Sequence, residues 1–328
     1  MTIKGLHTVR IISIFLLIIG VDIPLLSQQD PLFTQFMNNQ LVINPAYAGT
    51  RNSLAADLTL RKQWMGITGS PTAYLFSAHS PINKTRVSLG GSLLGESYGP
   101  VQTNQFTLTY SFLARINHGM FLSLGINGGG SQTTINLADL EVLEPGDPYF
   151  SNNVQNQFKP LVGVGAILFT QSFRISLSVP QLFATNYNNS KNQGTNFETK
   201  PHFYYNVDYV YPIKKKKSIK LSTFGRMTAN TQNILEFYTQ YNHSQTLGFG
   251  FIYSINHSIA GVVNLAISNN LDVCYSYDYP IGKSAIFRQG SHEITLKYDY
   301  YELYKKNKHR IFKKKKVDEE EMRSIRYF

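Results

Sequence analysis

Few residues of this sequence have the types and spacing that catalysis requires. Residues 95–99 read Gly-Glu-Ser-Tyr-Gly, which matches the G-x-S-x-G spacing around a serine nucleophile. That motif works only between a strand, a tight turn and a helix. Here Pro100 follows directly, and then another alternating segment begins. We therefore expect a connection between two strands at this point and no nucleophile at Ser97.

Metal and dinucleotide sites are not indicated either. His292-Glu293 lacks the second histidine of the H-E-x-x-H zinc motif, and the eight histidines are scattered without ligand spacing. Two glycine pairs lack the third glycine and the helix of a dinucleotide site, so we interpret them as small residues on strand faces. These pairs are Gly163 with Gly165 and Gly248 with Gly250.

Three acidic residues and one cysteine remain. Glu141, Glu144 and Asp147 cluster in the longest predicted loop, where calcium binding is conceivable, but their spacing matches no calcium-loop motif. Cys274 is the single cysteine, so it forms no disulfide within the chain and is interpreted as a small packed side chain. We predict no catalytic, cofactor-binding or metal-binding residues, no cofactor, and a protein that is not an enzyme.

The composition favours a chain rich in strands. Hydrophobic residues make up 42% and charged residues 16%, with 21 Tyr, 21 Phe and one Trp; soluble domains usually carry about 25% charged residues. The net charge of +11 is concentrated in Lys214–Lys217 and in residues 305–316. This pattern favours basic turns and a basic tail over a nucleic-acid site. Composition alone does not exclude a soluble β-sandwich.

The first 27 residues predict a signal peptide. Lys4 and Arg10 provide a positive start, and Ile11 to Ile19 form the apolar run. Asp22 and Pro24 prevent this run from extending further, so it is too short for a spanning helix of about 20 residues. We expect cleavage after Ser27 and secretion of the mature chain.

The remainder alternates apolar and polar residues with period two, which is typical of half-buried strands. Phe106, Leu108, Tyr110 and Phe112 alternate with Thr107, Thr109 and Ser111, and we expect the polar set to face a lumen. The sequence predicts fourteen such strands: 53–63, 71–80, 86–96, 101–115, 119–130, 160–170, 173–181, 201–212, 218–228, 232–242, 245–255, 258–268, 271–280 and 290–301.

The connections between these strands alternate in length. If the first lies outside the cell, the odd-numbered connections are extracellular and include Gly95–Pro100, Ser131–Lys159, Phe183–Lys200 and Ile281–Gly290. The even-numbered connections are mostly tight, as expected on the periplasmic side of an outer-membrane barrel. Lipid provides no hydrogen-bond partners, so the sheet must close on itself. We predict an all-β transmembrane barrel of antiparallel up-and-down strands with both termini in the periplasm.

The predicted organisation is a signal peptide (1–27), an N-terminal periplasmic segment (28–52), the barrel (53–301) and a basic periplasmic tail (302–328). In the N-terminal segment, Phe33, Phe36 and Met37 could form one face of a short helix ended by Asn44-Pro45 and Gly49, acting as a plug or cap. The tail is either solvated or contacts an acidic partner, and its charge alone does not distinguish these two alternatives.

Several motifs of the mature chain resemble the PorP/SprF family of Bacteroidetes. They occur in order from residue 28 to about 300, and the most specific is Ile-Asn-Pro-Ala-Tyr-Ala-Gly at 43–49. The basic tail departs from the family, and Tyr300 replaces its usual Phe. The other motifs are Gln28–Pro31, Phe33–Met37, Arg61–Trp64, Pro145–Pro148, Ser178–Pro180, Gly290–Ile294 and Tyr298–Tyr300.

This resemblance implies an outer-membrane barrel associated with the type IX secretion system and gliding motility. Its expected partners are the lipid bilayer, periplasmic lipoprotein and ring components of that machinery, and a secreted surface adhesin. The resemblance implies no catalytic residue. The function predicted is docking of the machinery or of a secreted surface protein. The alternative is an outer-membrane channel or transporter for small or hydrophobic solutes.

Overall fold

The computed structural model describes residues 33–82, 85–136, 154–183, 185–188, 196–214, 217–228, 233–282 and 289–300. The predicted signal peptide, the basic tail and the acidic residues Glu141, Glu144 and Asp147 lie outside this described part.

Sixteen strands account for most of the described chain. All fourteen strands predicted from the alternating pattern are present, and two short ones are added. The strands are β1 (Leu54–Lys62), β2 (Thr72–Pro81), β3 (Val87–Tyr98), β4 (Val101–Asn117), β5 (Met120–Ile135), β6 (Val154–Phe169), β7 (Phe173–Val179), β8 (Thr185–Asn188), β9 (Asn196–Thr199), β10 (His202–Lys214), β11 (Lys217–Thr228), β12 (Ile234–Asn242), β13 (Leu247–Ser254), β14 (Ser258–Ala266), β15 (Leu271–Pro280) and β16 (Ser291–Tyr300).

Fourteen strands form one closed antiparallel barrel in which every neighbour along the chain is a neighbour in space, except that β7 pairs with β10. Closure comes from β1 and β16, which pair from Leu54 with Tyr300 to Lys62 with His292. The β8–β9 hairpin is a separate two-stranded sheet within the predicted loop 183–200. This hairpin is not predicted by the alternating pattern.

The alternating pattern sorts the two faces of the barrel. On β1, Asp57, Thr59 and Arg61 are buried in the lumen, whereas Leu58 and Leu60 are exposed on the outside. β4 follows the same rule, with Thr109 and Ser111 buried and Leu108 71% exposed. An apolar exterior around a polar lumen matches a barrel immersed in lipid. Among the described residues, no helix is long and apolar enough to cross a membrane.

The two ends of the barrel differ in their connections. We call the end with the even-numbered connections the short-turn rim, because its turns span 2 to 5 residues between strands. The other end, which carries the connections 136–153, 180–201 and 281–290, is called the long-loop rim.

One predicted long connection is wrong. Residues 95–100 are expected among the longest loops, but β3 continues to Tyr98 and pairs with Val101 on β4. Only Gly99 and Pro100 remain between the strands, and Gly99 has a φ of +52°. The tight turn is possible because glycine accepts this left-handed conformation without steric cost.

Candidate functional site: the plugged lumen

The segment before β1 lies inside the barrel, and we call residues 33–52 the plug. Its only helices are α1 (Gln40–Ile43) and a 3-10 turn (Pro45–Tyr47), so the helix expected around Phe33, Phe36 and Met37 is instead a series of turns. The predicted break at Asn44-Pro45 is confirmed. The Asn44 side chain accepts a hydrogen bond of 2.9 Å from the Ala46 N–H and starts the 3-10 turn.

The plug runs along the lumen from one rim to the other. Phe33 packs against Ala73 and Leu94, which lie toward the long-loop rim. Gly49 at the other end donates its N–H to His79 Nδ1 at 3.0 Å, close to the short-turn rim where β2 ends. The sequence predicts a periplasmic plug or cap for this segment. Its described residues form a plug within the lumen, because their polar groups find partners on the polar inner wall.

The start of the plug is held by a carboxylate on the last strand. Glu293 accepts the backbone N–H groups of Thr34 at 2.8 Å and Gln35 at 3.0 Å. Arg61 donates to the same carboxylate at 3.0 Å and to Asp278 at 3.2 Å. These side chains are almost completely buried, so each charge depends on its partners.

The middle of the plug is fitted against β5, β6 and β7. Asn44 donates to Ser176 Oγ at 2.8 Å and to the carbonyl of Ala166 at 3.2 Å. Glycine makes this approach possible. A Cβ at Gly125 would lie 2.2 Å from the Ala46 nitrogen, and a Cβ at Gly165 would lie 2.0 Å from Asn44 Oδ1.

The end of the plug is fixed by a second ion-pair cluster. Arg51 contacts Asp57 at 2.7 Å and Asp299 at 2.5 Å. Ser53 donates a further hydrogen bond of 2.6 Å to Asp299. The guanidinium of Arg51 therefore ties the plug to the first and last strands through these two carboxylates.

A third buried pair lies on the wall opposite. Arg174 on β7 donates to Asp208 on β10 at 2.6 Å, and its guanidinium carbon lies 5.9 Å from the centre of the Tyr47 ring. The plug thus contacts each of these three buried charge clusters.

Apolar contacts hold the plug between its polar ends. The Phe36 ring stacks on Phe224 with centroids 4.4 Å apart and meets Tyr238 edge-on at 6.4 Å. Cys274 belongs to the same buried cluster, so its interpretation as a packed side chain is confirmed. These contacts pack the plug against an apolar patch of the inner wall that includes Phe224, Tyr238 and Ile252.

The catalytic motifs considered in the sequence are not brought together. Ser97 lies in β3 and is followed by the Gly99-Pro100 turn and β4, so the motif sits in a strand–turn–strand context as expected. His292 bonds to Tyr275 at 2.7 Å, away from the lumen that Glu293 faces. No group of three metal-ligating side chains occurs in the part of the chain that the structure describes.

The charges of the lumen are not predicted by the alternating pattern. It identifies Asp57, Arg61, Arg174 and Glu293 as polar members of strands without indicating a role for them. Their positions could have indicated buried ion pairs, because a charged residue at a lumen-facing position of a membrane strand needs a partner of opposite charge inside the barrel. The pairing itself depends on which strands become neighbours.

The motifs behind the family resemblance meet at this plug. Thr34 and Gln35 contact Glu293, the 43–49 motif contacts β5 to β7, and Ser178 Oγ donates to the Ile43 carbonyl at 2.8 Å. Asp299 holds Arg51. Pro145–Pro148 falls outside the described residues.

Solved structures with a similar barrel share little sequence with this chain. The toluene transporter TbuX of Ralstonia pickettii is 12% identical, with 79% of this chain and 93% of that chain covered and a TM-score of 0.48. A FadL homologue of Pseudomonas aeruginosa is also 12% identical, with coverages of 79% and 94% and a TM-score of 0.42. No ligand or activity follows from likenesses at this level.

No curated protein sequence matches the chain. A family model does: the type IX secretion system membrane protein PorP/SprF family matches residues 25–298. This range includes the plug and all strands of the barrel except the last residues of β16. The chain belongs to the PorP/SprF family of type IX secretion system membrane proteins, with the fold of an outer-membrane β-barrel.

Proposed function

We propose that this protein is a closed outer-membrane barrel that serves the type IX secretion system as a docking component, and that it is associated with gliding motility. The observation that carries the proposal is the plug. It passes through the lumen from rim to rim and is tied to the wall by buried ion pairs around Arg51 and Arg61. A barrel sealed in this way offers its rims to other proteins instead of a path for solutes.

The proposal includes the placement of the protein. The signal peptide is removed, and the short-turn rim and the carboxy-terminal tail face the periplasm, because outer-membrane barrels carry short turns there. The partners are the periplasmic lipoprotein and ring components of the machinery and a secreted surface adhesin. We further propose that the protein is not an enzyme. The strand–turn–strand context of Ser97 supports this.

Planar-bilayer recording tests the closed barrel against the alternative of a solute channel. We expect the purified protein to conduct ions barely above the bare membrane, and a variant lacking residues 34–48 to conduct strongly. Large solute-selective conductance of the intact protein would favour the channel and contradict the docking role.

Crosslinked pull-down from outer membranes tests docking itself. We expect components of the secretion machinery or a surface protein to be recovered with the intact barrel. An unrelated outer-membrane barrel expressed at the same level provides the control, and recovery equal to that control would contradict the proposal.

A further inference from the structure

The turns of the short-turn rim carry basic residues and no acidic ones. Its six turns are residues 82–86, 118–119, 170–172, 215–216, 243–246 and 267–270, and none of them contains Asp or Glu. Arg86 lies in one of these turns, and Arg115 and Lys217 lie in the strand residues that flank two others. Positive charge is therefore distributed around this end of the barrel.

These rim charges differ from the charges of the lumen. Inside the barrel, Arg51, Arg61 and Arg174 each contact buried carboxylates. At the rim, Arg86 is exposed, and neither Arg86 nor Lys217 makes an ion pair with another described residue. The turns provide no acid. The two acids at the strand ends of this rim have basic neighbours of their own, since Asp272 lies opposite Lys297 and Asp299 pairs with Arg51. Arg86 and Lys217 therefore remain as positive charge that these acids do not neutralise.

The direction of the Arg115 side chain helps to distinguish a protein partner from the headgroups of the surrounding lipid. On β4, Phe112 and the other outward residues face lipid, while Ser111 faces the lumen. Arg115 continues the lumen-facing set, and its guanidinium carbon lies 5.9 Å from the centre of the Phe121 ring, which packs on the lumen side. Its Nε donates to the Asn117 carbonyl at 3.1 Å. Arg115 is thus held over the barrel mouth and not toward the headgroups of surrounding lipid.

Lys217 continues the outward-facing set of β11, whose even-numbered residues Ser218, Lys220 and Ser222 are buried in the lumen. It is the one of these three cations with the reach for lipid headgroups. Arg86 extends the lumen-facing set of β3 that begins with the buried Ser88, and its carbonyl accepts the Leu113 N–H at 2.7 Å. Arg86 and Arg115 therefore favour a protein partner, because lipid headgroups surround the barrel and do not cover its mouth.

We propose that the short-turn rim is a docking surface for an acidic protein, with Arg86, Arg115 and Lys217 providing the attracting charge. The occupant is a folded or extended protein segment rich in Asp and Glu that covers the mouth at this end. This inference rests on the proposed function only for placing that protein in the periplasm. Opposite charge at such a surface chiefly raises the rate of association and selects the partner.

The test uses the full-length barrel in nanodiscs of zwitterionic lipid, with fluorescent poly-L-glutamate as the acidic probe. We expect anisotropy to report binding that weakens with added salt and falls about tenfold or more in the triple variant R86E/R115E/K217E. The variant R86K/R115K/K217R keeps the charge and is expected to bind as the wild type does. Heat-modifiable migration on gels verifies that each variant is folded.

Three outcomes would overturn the inference. The first is absence of salt-sensitive polyglutamate binding by the wild type, or equal binding by the triple variant. The second is binding that appears only with anionic phosphatidylglycerol vesicles and that K217E alone abolishes, which would assign the charge to lipid. If the triple variant still recovers secretion components in the crosslinked pull-down, docking stands and this surface is wrong.

Discussion

The carboxylate of Glu293 accepts the backbone N–H of Thr34 at 2.8 Å, and this contact joins two residues that are 259 positions apart in the chain. It places the start of the plug against the strand that closes the barrel. Closure and plugging are therefore coupled, since the same carboxylate also neutralises Arg61 on β1.

Replacing Glu293 with Gln tests this coupling. The substitution leaves Arg61 with only Asp278 as a charged partner, and we expect a loss of about 3–5 kcal/mol in the free energy of unfolding. Urea unfolding of the barrel in lipid vesicles, followed by heat-modifiable migration, measures it. Glu236→Gln is the control, because Glu236 is buried in the lumen but makes no hydrogen bond to the described plug residues. Equal losses in both variants would show that the plug contact contributes nothing specific.

Replacing Gly125 with Val is expected to displace the plug without opening the barrel wall. The added side chain would occupy the position of the Ala46 backbone, whose nitrogen lies only 2.2 Å from where a Cβ at residue 125 would stand. We expect ion conductance in planar bilayers to rise well above that of the wild type. Gly128→Val, on the same strand, has no atom within 4 Å of its Cβ and provides the control. Unchanged conductance in the Gly125 variant would contradict the tight fit of the plug.

We expect the protein to be destabilised both by removing the charge of Arg51 and by replacing its planar guanidinium. Arg51→Gln leaves Asp57 and Asp299 without their counter-charge, and we expect a cost of about 3–5 kcal/mol. Arg51→Lys keeps the charge but cannot bridge both carboxylates with a planar fork, so its cost should be intermediate. Urea unfolding in vesicles measures the free energy of unfolding of the wild type, Arg51→Lys and Arg51→Gln, and so ranks their stabilities. A lysine variant as unstable as the glutamine variant would show that geometry, and not charge, holds this end of the plug.

The membrane-facing surface is tested at Leu108, which is 71% exposed in the middle of the apolar series on β4. We expect Leu108→Arg to cost about 2–4 kcal/mol in vesicles, and the same substitution at a rim position to cost roughly 0–1 kcal/mol. Gln102→Arg is that control, because Gln102 lies on the same face near the long-loop rim. Equal costs at the two positions would contradict the assignment of Leu108 to the middle of the lipid-facing surface.

Local pattern was enough to predict the wall of the barrel. Each strand alternates lipid-facing and lumen-facing residues, as Leu58 and Thr59 do, and this period is a property of an extended backbone. Lipid also requires that the strands close into a barrel. Strand number, antiparallel order and the short-turn rim therefore follow from the sequence alone. The connection at 95–100 does not, because Gly95 to Tyr98 have the composition of a loop while cross-strand pairing extends through them.

The plug and its contacts were decided by the tertiary structure. The sequence of residues 33–52 predicts a short helix around Phe33, Phe36 and Met37, where the structure has turns, and it predicts no direction through the lumen. Thr34 meets Glu293, Asn44 meets Ser176 and Arg51 meets Asp299 only when the closed barrel surrounds the plug. The sequence by itself determined which residues face lipid and which face inward, because that choice depends on adjacent residues. Which buried charges pair, and what fills the lumen, depend on residues distant in the chain, and only the closed barrel brings those within hydrogen-bond distance.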